Sequence, residues 1–240
     1  ALPAHPTFAF LRANPDIQIP PAPAVPNFFI HTTLESWPWR EGALAFHLAR
    51  LWYVLLSTGT VVAAYGLLQC AFPTQGAWVL ATTGLLALVP AFSFSGGVIN
   101  NDNAAAFWGT LALWGAVALY RAQGKLMAGW WLPLALGCGL LSKVSTLALW
   151  PVVAVALLLG SKARISGAAR PKRALHAAWV TGMLIFGLAT LLAAPWLLRN
   201  WQLYGDPLGM ALTRQTIDLR LAPWTWADTL WLLRGWFVTF

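Results

Sequence analysis

Few residues in this chain could do chemistry. Asp102 stands in "GGVINNDNAAAF" (96–107), where asparagines flank a carboxylate between two apolar runs. Lys143 stands in "LLSKVST" (140–146), again between apolar runs. Arg199 and Asn200 close a third run and lead into "YGDPLG". A carboxylate, an ammonium and a guanidinium can together position an anionic ligand, a phosphate above all, with or without a divalent metal. Two readings fit each group. Asp102 could cap a helix that starts at the following alanines, with Asn103 alone able to serve as that cap; it could instead contact a ligand or metal. A carboxylate at the membrane centre costs roughly 2.5–3.5 kcal/mol on insertion scales, so an acid near hydrocarbon points toward function. Lys143 could snorkel to lipid headgroups or hold an anion. Arg199 could mark the end of a span or grip a phosphate, and Gly-Asp-Pro after it favours a turn.

The elements that must position these residues are membrane helices. The chain has 240 residues, of which 59% are hydrophobic and 9% charged. A soluble domain is about a quarter charged, so this is membrane composition. Apolar stretches close to spanning length recur at 43–72, 77–97, 104–120, 126–141, 144–160 and 177–198. The pattern predicts an all-α polytopic bundle of six spans over 43–198. Residues 1–42 and 199–225 read as loops, and 226–240 as the start of a further membrane helix. Pro90 should bend the second span. The arms on either side of Lys143 look too short to cross, so the tip between them should be recessed. The last residues run into an apolar stretch and the first is not Met, which reads as a fragment truncated at both ends.

Charge sets the expected orientation. The segments 121–125 and 161–173 hold Arg121, Lys125, Lys162, Arg164, Arg170, Lys172 and Arg173, and no acid. Short basic loops stay cytoplasmic. Alternation then places Asn101, Asp102, Lys143 and 199–225 on the extracytoplasmic side, with all seven acids at or near it. In a membrane chain the net charge of +8 marks topology, and nucleic acid is not expected as a partner. Trp37, Trp39, Trp150, Trp179, Trp196 and Trp201 fall near span ends, as interfacial anchors do. Cys70 and Cys138 lack metal-ligand spacing and read as packing residues. His31, Glu35 and Glu41 form no Ser/His/Asp or HExxH pattern, and the chain has no Walker loop, Rossmann fingerprint or alignable repeat.

Four segments carry a family resemblance. "HTTLESWPWREGALAFHLARLWYVLLSTGTVVAAYGL", "FSFSGGVINNDNAAAF", "LGCGLLSKVSTLALWP" and "PWLLRNWQLYGDPLG" occur in an order that resembles bacterial members of glycosyltransferase family 39, relatives of protein O-mannosyltransferases. The resemblance runs from about residue 27 to 209. It implies a GT-C fold in the plasma (inner) membrane, multi-pass, with its site facing the extracytoplasmic side. It further implies a hexosyl- or pentosyltransferase that takes sugar from a polyprenyl-phosphate donor and inverts at the anomeric carbon. The acceptor would be a lipid, a glycan or a protein. The family's catalytic acid follows its first helix, and that motif is absent here, so the resemblance places it upstream of Ala1. "NNDN" occupies the place of the family's second acidic motif, which makes Asp102 the candidate contact for a Mg or Mn ion or for the donor phosphate. Asn100 stands where a second acid would be. Lys143 and Arg199 would contact the donor phosphate, supported by Asn101, Asn103 and Asn200. The alternatives are a transporter or lipid flippase, and a non-catalytic membrane subunit.

Overall fold

The structure is a computed structural model and describes residues 11–13, 29–168, 170–211 and 225–239. Most of the expected loop 1–42, and 212–224 of the expected loop 199–225, lie outside the described residues. Eight α-helices make up most of the described chain: α1 (Glu41–Ala71), α2 (Gly76–Leu88), α3 (Pro90–Gly96), α4 (Asn101–Arg121), α5 (Leu132–Ser142), α6 (Leu149–Ser166), α7 (Pro171–Tyr204) and α8 (Trp226–Thr239). Turns of 3₁₀ helix precede α5 at Leu126–Gly129 and α6 at Val144–Ala148. The all-α expectation holds among the described residues, apart from one short strand pair. Two three-residue strands, β1 (Leu11–Ala13) and β2 (Phe29–His31), pair antiparallel, with Arg12 opposite Ile30.

Among the described residues, three helical segments are long and apolar enough to cross a membrane: α1, α6 with its preceding 3₁₀ turn, and α7. The pair α2–α3 makes a fourth if its 62° bend lies within one span. The break falls at Val89, where the chain turns extended before Pro90. Proline disfavours helical backbone in the residue before it and brings no N–H, so the expected bend is a full interruption. Of the six expected spans, α4 and α5 do not qualify by length and composition. Between Leu126 and Ser142 the arm before Lys143 is short, as expected, but the arm after it is not: it continues to Ser166.

Helices overrun the predicted loops at both ends. α6 carries Lys162 and Arg164 in its last turns, α7 begins at Pro171, and the basic loop shrinks to 167–170. α7 also passes through Pro195 and stops only at Gly205, which caps it at φ 66°. Arg199 and Asn200 are therefore helical. Helix hydrogen bonding is indifferent to where apolar composition ends, so hydropathy marks the hydrocarbon-facing stretch and not the helix.

Close backbone contacts define how the helices run. Phe107 and Trp114 of α4 lie over Gly59 and Gly66 of α1, with the same seven-residue spacing on both, so α1 and α4 are parallel. Gly109 meets Leu149 and Gly160 meets the carbonyls of Leu119 and Tyr120, which makes α6 parallel to α4 as well. Leu132 packs on Gly115 and Trp108 near Gly139, which makes α5 antiparallel to α4. The core lies between α4, α5, α6 and α7, with Leu119, Leu132, Leu136, Val153 and Ile185 almost wholly buried. Many large apolar side chains face outward, including Trp78, Leu85, Leu88 and Met183. An exposed apolar surface of this extent is what a lipid-facing bundle presents.

Candidate functional site

Alternation brings the ends 97–100, 142–144 and 205–211 to one end of the bundle. Asn100 is extended and its side chain accepts from the N–H of Asn103 at 3.0 Å. Asn100, not Asn103, is thus the cap of α4. Four consecutive residues here can all cap a helix, so composition alone could not choose among them. Asn103 does something different. It is 6% exposed, and its amide donates to the carbonyls of Ser95 at 2.7 Å and Val98 at 3.1 Å. Those carbonyls belong to the end of α3 and the turn after it; that of Ser95 also accepts from the N–H of Val98 at 3.0 Å. Asn103 therefore ties two helix ends together.

Asp102 sits in the first turn of α4, where the helix dipole favours a negative charge. Lys143 caps the C-terminus of α5, where the dipole favours a positive one. The two side chains form an ion pair. Asn101 reinforces the junction by donating to the carbonyl of Ser142 at 3.3 Å, and Thr146 donates back to the carbonyl of Lys143 at 2.8 Å. The pair is open to water: Lys143 is 44% exposed and Asp102 63%. An exposed ion pair contributes about 0–1 kcal/mol, so its role in stability is small. An ammonium carries three N–H donors. Asp102 is the partner found for Lys143 among the described residues, which leaves capacity for a further anion.

The pair does not stand at the rim of the bundle. The α1–α4 register puts Val54 level with Asp102, so α1 extends about 20 Å beyond that level, at 1.5 Å per residue. Gly137 lies against Ala189 and Leu192 of α7. From that level, α7 reaches about 10 Å beyond Lys143, and Arg199 falls within about one turn of the lysine's height. Arg199 is exposed, and no side-chain partner is found for it among the described residues. Asn200 turns inward: it is 5% exposed and donates to the carbonyl of Pro207 at 3.3 Å. Its role is to fold the chain back after α7. Asp206 accepts from the N–H of Leu208 at 3.0 Å and of Ala211 at 2.8 Å. These bonds, that of Ala211 first, hold its carboxyl below the usual range.

Sequence reasoning did not find the apolar groove at this height. Between α1 and the broken α2–α3 pair lies a space of about 350 Å³, lined by Val54, Ser57, Val61, Val62 and Phe92 among others. The Ser57 hydroxyl borders it, buried and without a hydrogen-bond partner among the described residues. The groove depends on the break at Val89 and on Gly96 closing against Ser57, where a Cβ would come within 3.0 Å of the hydroxyl. Neither is visible in a hydropathy trace. His47 stacks on Trp39 with ring centroids 4.0 Å apart, which gives Trp39 a packing role. Trp150 packs inward against Phe186. Trp37, Trp179 and Trp201 are exposed, as interfacial anchors would be.

A divalent cation would find one carboxylate at Asp102, already paired with Lys143, beside amides engaged with backbone carbonyls. Among the described residues no three His, Cys, Asp or Glu side chains converge anywhere. One paired carboxylate is a poor donor set for Mg or Mn, which take several oxygen ligands.

Compared with known protein families, with curated proteins and with solved structures, the chain matches none.

Proposed function

We propose that this chain belongs to an integral-membrane glycosyltransferase that uses a polyprenyl-phosphate-linked sugar on the extracytoplasmic side. One observation carries the reading: the water-exposed Asp102–Lys143 pair, set at two helix ends, shares its level with an apolar groove open between α1 and α2–α3. A lipid-linked donor has the same two parts, a phosphate and a long apolar chain. The ordered resemblance to glycosyltransferase family 39 supports the same assignment.

In this reading the ammonium of Lys143 receives the donor phosphate with the donors that Asp102 leaves free, and Arg199 approaches from α7. Transfer forms a bond between an acceptor oxygen and the anomeric carbon and breaks the bond from that carbon to the phosphate oxygen. The acceptor's proton passes to a carboxylate base. Charge grows on the departing polyprenyl phosphate, and a fixed ammonium stabilises it more in the transition state than in the donor. Asp102 holds the ammonium in place through this change.

The test uses the full-length protein. Undecaprenyl phosphate should bind well over tenfold more tightly than undecaprenol, and Lys143→Gln should erase that difference while the protein stays folded. A panel of polyprenyl-phosphate hexoses and pentoses, read by release of polyprenyl phosphate, should show turnover that drops at least a hundredfold in the same variant. Full turnover in Lys143→Gln would reject the assignment. A broken helix such as α2–α3 also suits a lipid flippase. Movement of labelled polyprenyl phosphate across vesicles by the protein, without sugar release, would favour that rival.

A further inference from the structure

The opposite end of the bundle carries a different surface. The turn 121–125 presses on α6 so closely that a Cβ at Gly124 would stand 2.5 Å from the Ser161 hydroxyl, and Gly124 itself has φ +74°. A Cβ at Gly160 would meet the N–H nitrogen of Gly124 and the carbonyl of Tyr120 at 3.0 Å. This packing sets Arg121 and Lys125 beside Lys162 and Arg164 at the end of α6. Four residues later α7 opens with Pro171, Lys172 and Arg173, capped by Arg170. Arg121 donates to the carbonyl of Ala71 at 3.0 Å. For the side chains of Lys125, Lys162, Arg164, Arg170, Lys172 and Arg173 no hydrogen bond or ion pair is found among the described residues, and the segments 121–125 and 161–173 contain no acid.

Two features argue that this charge meets lipid phosphate. First, cations end α4 and α6, where the helix dipole welcomes them, but they also begin α7, where it repels them. No acid in the first turn of α7 offsets that repulsion, so an anion from outside would. Second, exposed Trp78, Tyr120, Trp130 and Trp179 all lie within about two helical turns of this end. Aromatic side chains of this kind sit at headgroup level, which puts the cations just beyond them among the phosphates.

We propose that this basic end is a docking surface for anionic phospholipid headgroups, gripped jointly by the ends of α4 and α6 and the start of α7. The proposal does not rest on the glycosyltransferase reading. Cations near an anionic membrane surface each add roughly fivefold in affinity.

The full chain, in neutral detergent micelles, is titrated with short-chain phosphatidylglycerol, phosphatidylcholine, glycerol phosphate and a single-stranded RNA oligomer, with thermal unfolding as the readout. Phosphatidylglycerol should raise the unfolding temperature saturably, with at least tenfold tighter apparent binding than phosphatidylcholine. Lys162→Gln/Arg164→Gln/Lys172→Gln/Arg173→Gln should lose at least tenfold, while Arg40→Gln at the other end stays within twofold. Wild-type binding should also weaken steadily with added salt, which tests the idea without any variant. Equal response to phosphatidylcholine, to glycerol phosphate or to RNA would overturn it. So would undiminished binding by the fourfold variant, or binding indifferent to salt.

Discussion

The two ends of the bundle are built on opposite principles. At the Asp102 end, helices stop at breaks, and polar side chains take up the carbonyls and N–H groups that the breaks release: Asn100 caps α4, Asn103 joins α3 to α4, and Asn101 joins α4 to α5. Two of the charges there, Asp102 and Lys143, pair within the fold. At the basic end, glycines let backbones touch, and little side-chain hydrogen bonding is needed. Apart from Arg121, which donates to the carbonyl of Ala71, the cations there have no partner among the described residues. The lesson is that helix ends can be closed by side chains or by backbone proximity. The first choice spends the polar groups internally, and the second leaves them free for something outside.

The largest effect should come from asking which end faces out. In a background with Cys70→Ala and Cys138→Ala, Asn101→Cys should label with a membrane-impermeant thiol reagent on intact cells and Ser166→Cys should not. The opposite pattern would invert the comparison and remove the extracytoplasmic assignment.

Next come the contacts that close each end. Gly160→Val would push its side chain into the carbonyls of Leu119 and Tyr120, and backbone cannot yield cheaply, so a loss of about 3 kcal/mol is expected. Asn103→Ala would remove two hydrogen bonds, take from the carbonyl of Val98 the donor it has here, and cost about 2 kcal/mol. Chemical or thermal unfolding in detergent measures both. If Asn103→Ala were neutral, the Asp102 end would not be held by side chains.

Smaller still is the cost of parting the ion pair. Asp102→Asn should change stability by less than about 1 kcal/mol, because both partners are exposed. A much larger loss would make the pair structural and would separate it from the proposed ligand site.

The smallest effect is local. The carboxyl of Asp206 is held below its ordinary value of 3.8 by the N–H groups of Ala211 and Leu208. A depressed carboxylate stabilises the fold fully above its unfolded value, and the gain is lost as pH falls through the lower folded value. The turn 205–211 should therefore loosen only below about pH 4. Hydrogen exchange at Leu208 and Ala211, compared at each pH with Asp206→Asn, should show protection that fades there and is flat in the variant.

Much of this was legible in the residues. Apolar runs gave the helices, because burying backbone in hydrocarbon demands helical hydrogen bonding within each segment. The separation of Arg and Lys from the acids, read with alternation, placed Asp102 and Lys143 at one end, and the helix directions bear that out. Pro90 announced its break through the N–H it lacks. Helix ends were not legible: α6 and α7 run on through charged residues because their hydrogen-bond ladders do not depend on composition.

What the sequence by itself determined is a helical chain of membrane composition with its charges sorted to opposite ends. What only the tertiary structure decided is which groups meet. Asp102 and Lys143 are 41 residues apart, and their pairing follows from the packing of α4 on α5 through Gly115 and Gly139. Asn100 rather than Asn103 is the cap, while Asn103 reaches across the break to the carbonyls of Ser95 and Val98. The groove beside them exists because α2 and α3 part at Val89 against α1. Each outcome turns on distances of an ångström or less between distant segments, and residue types alone carry no such distances.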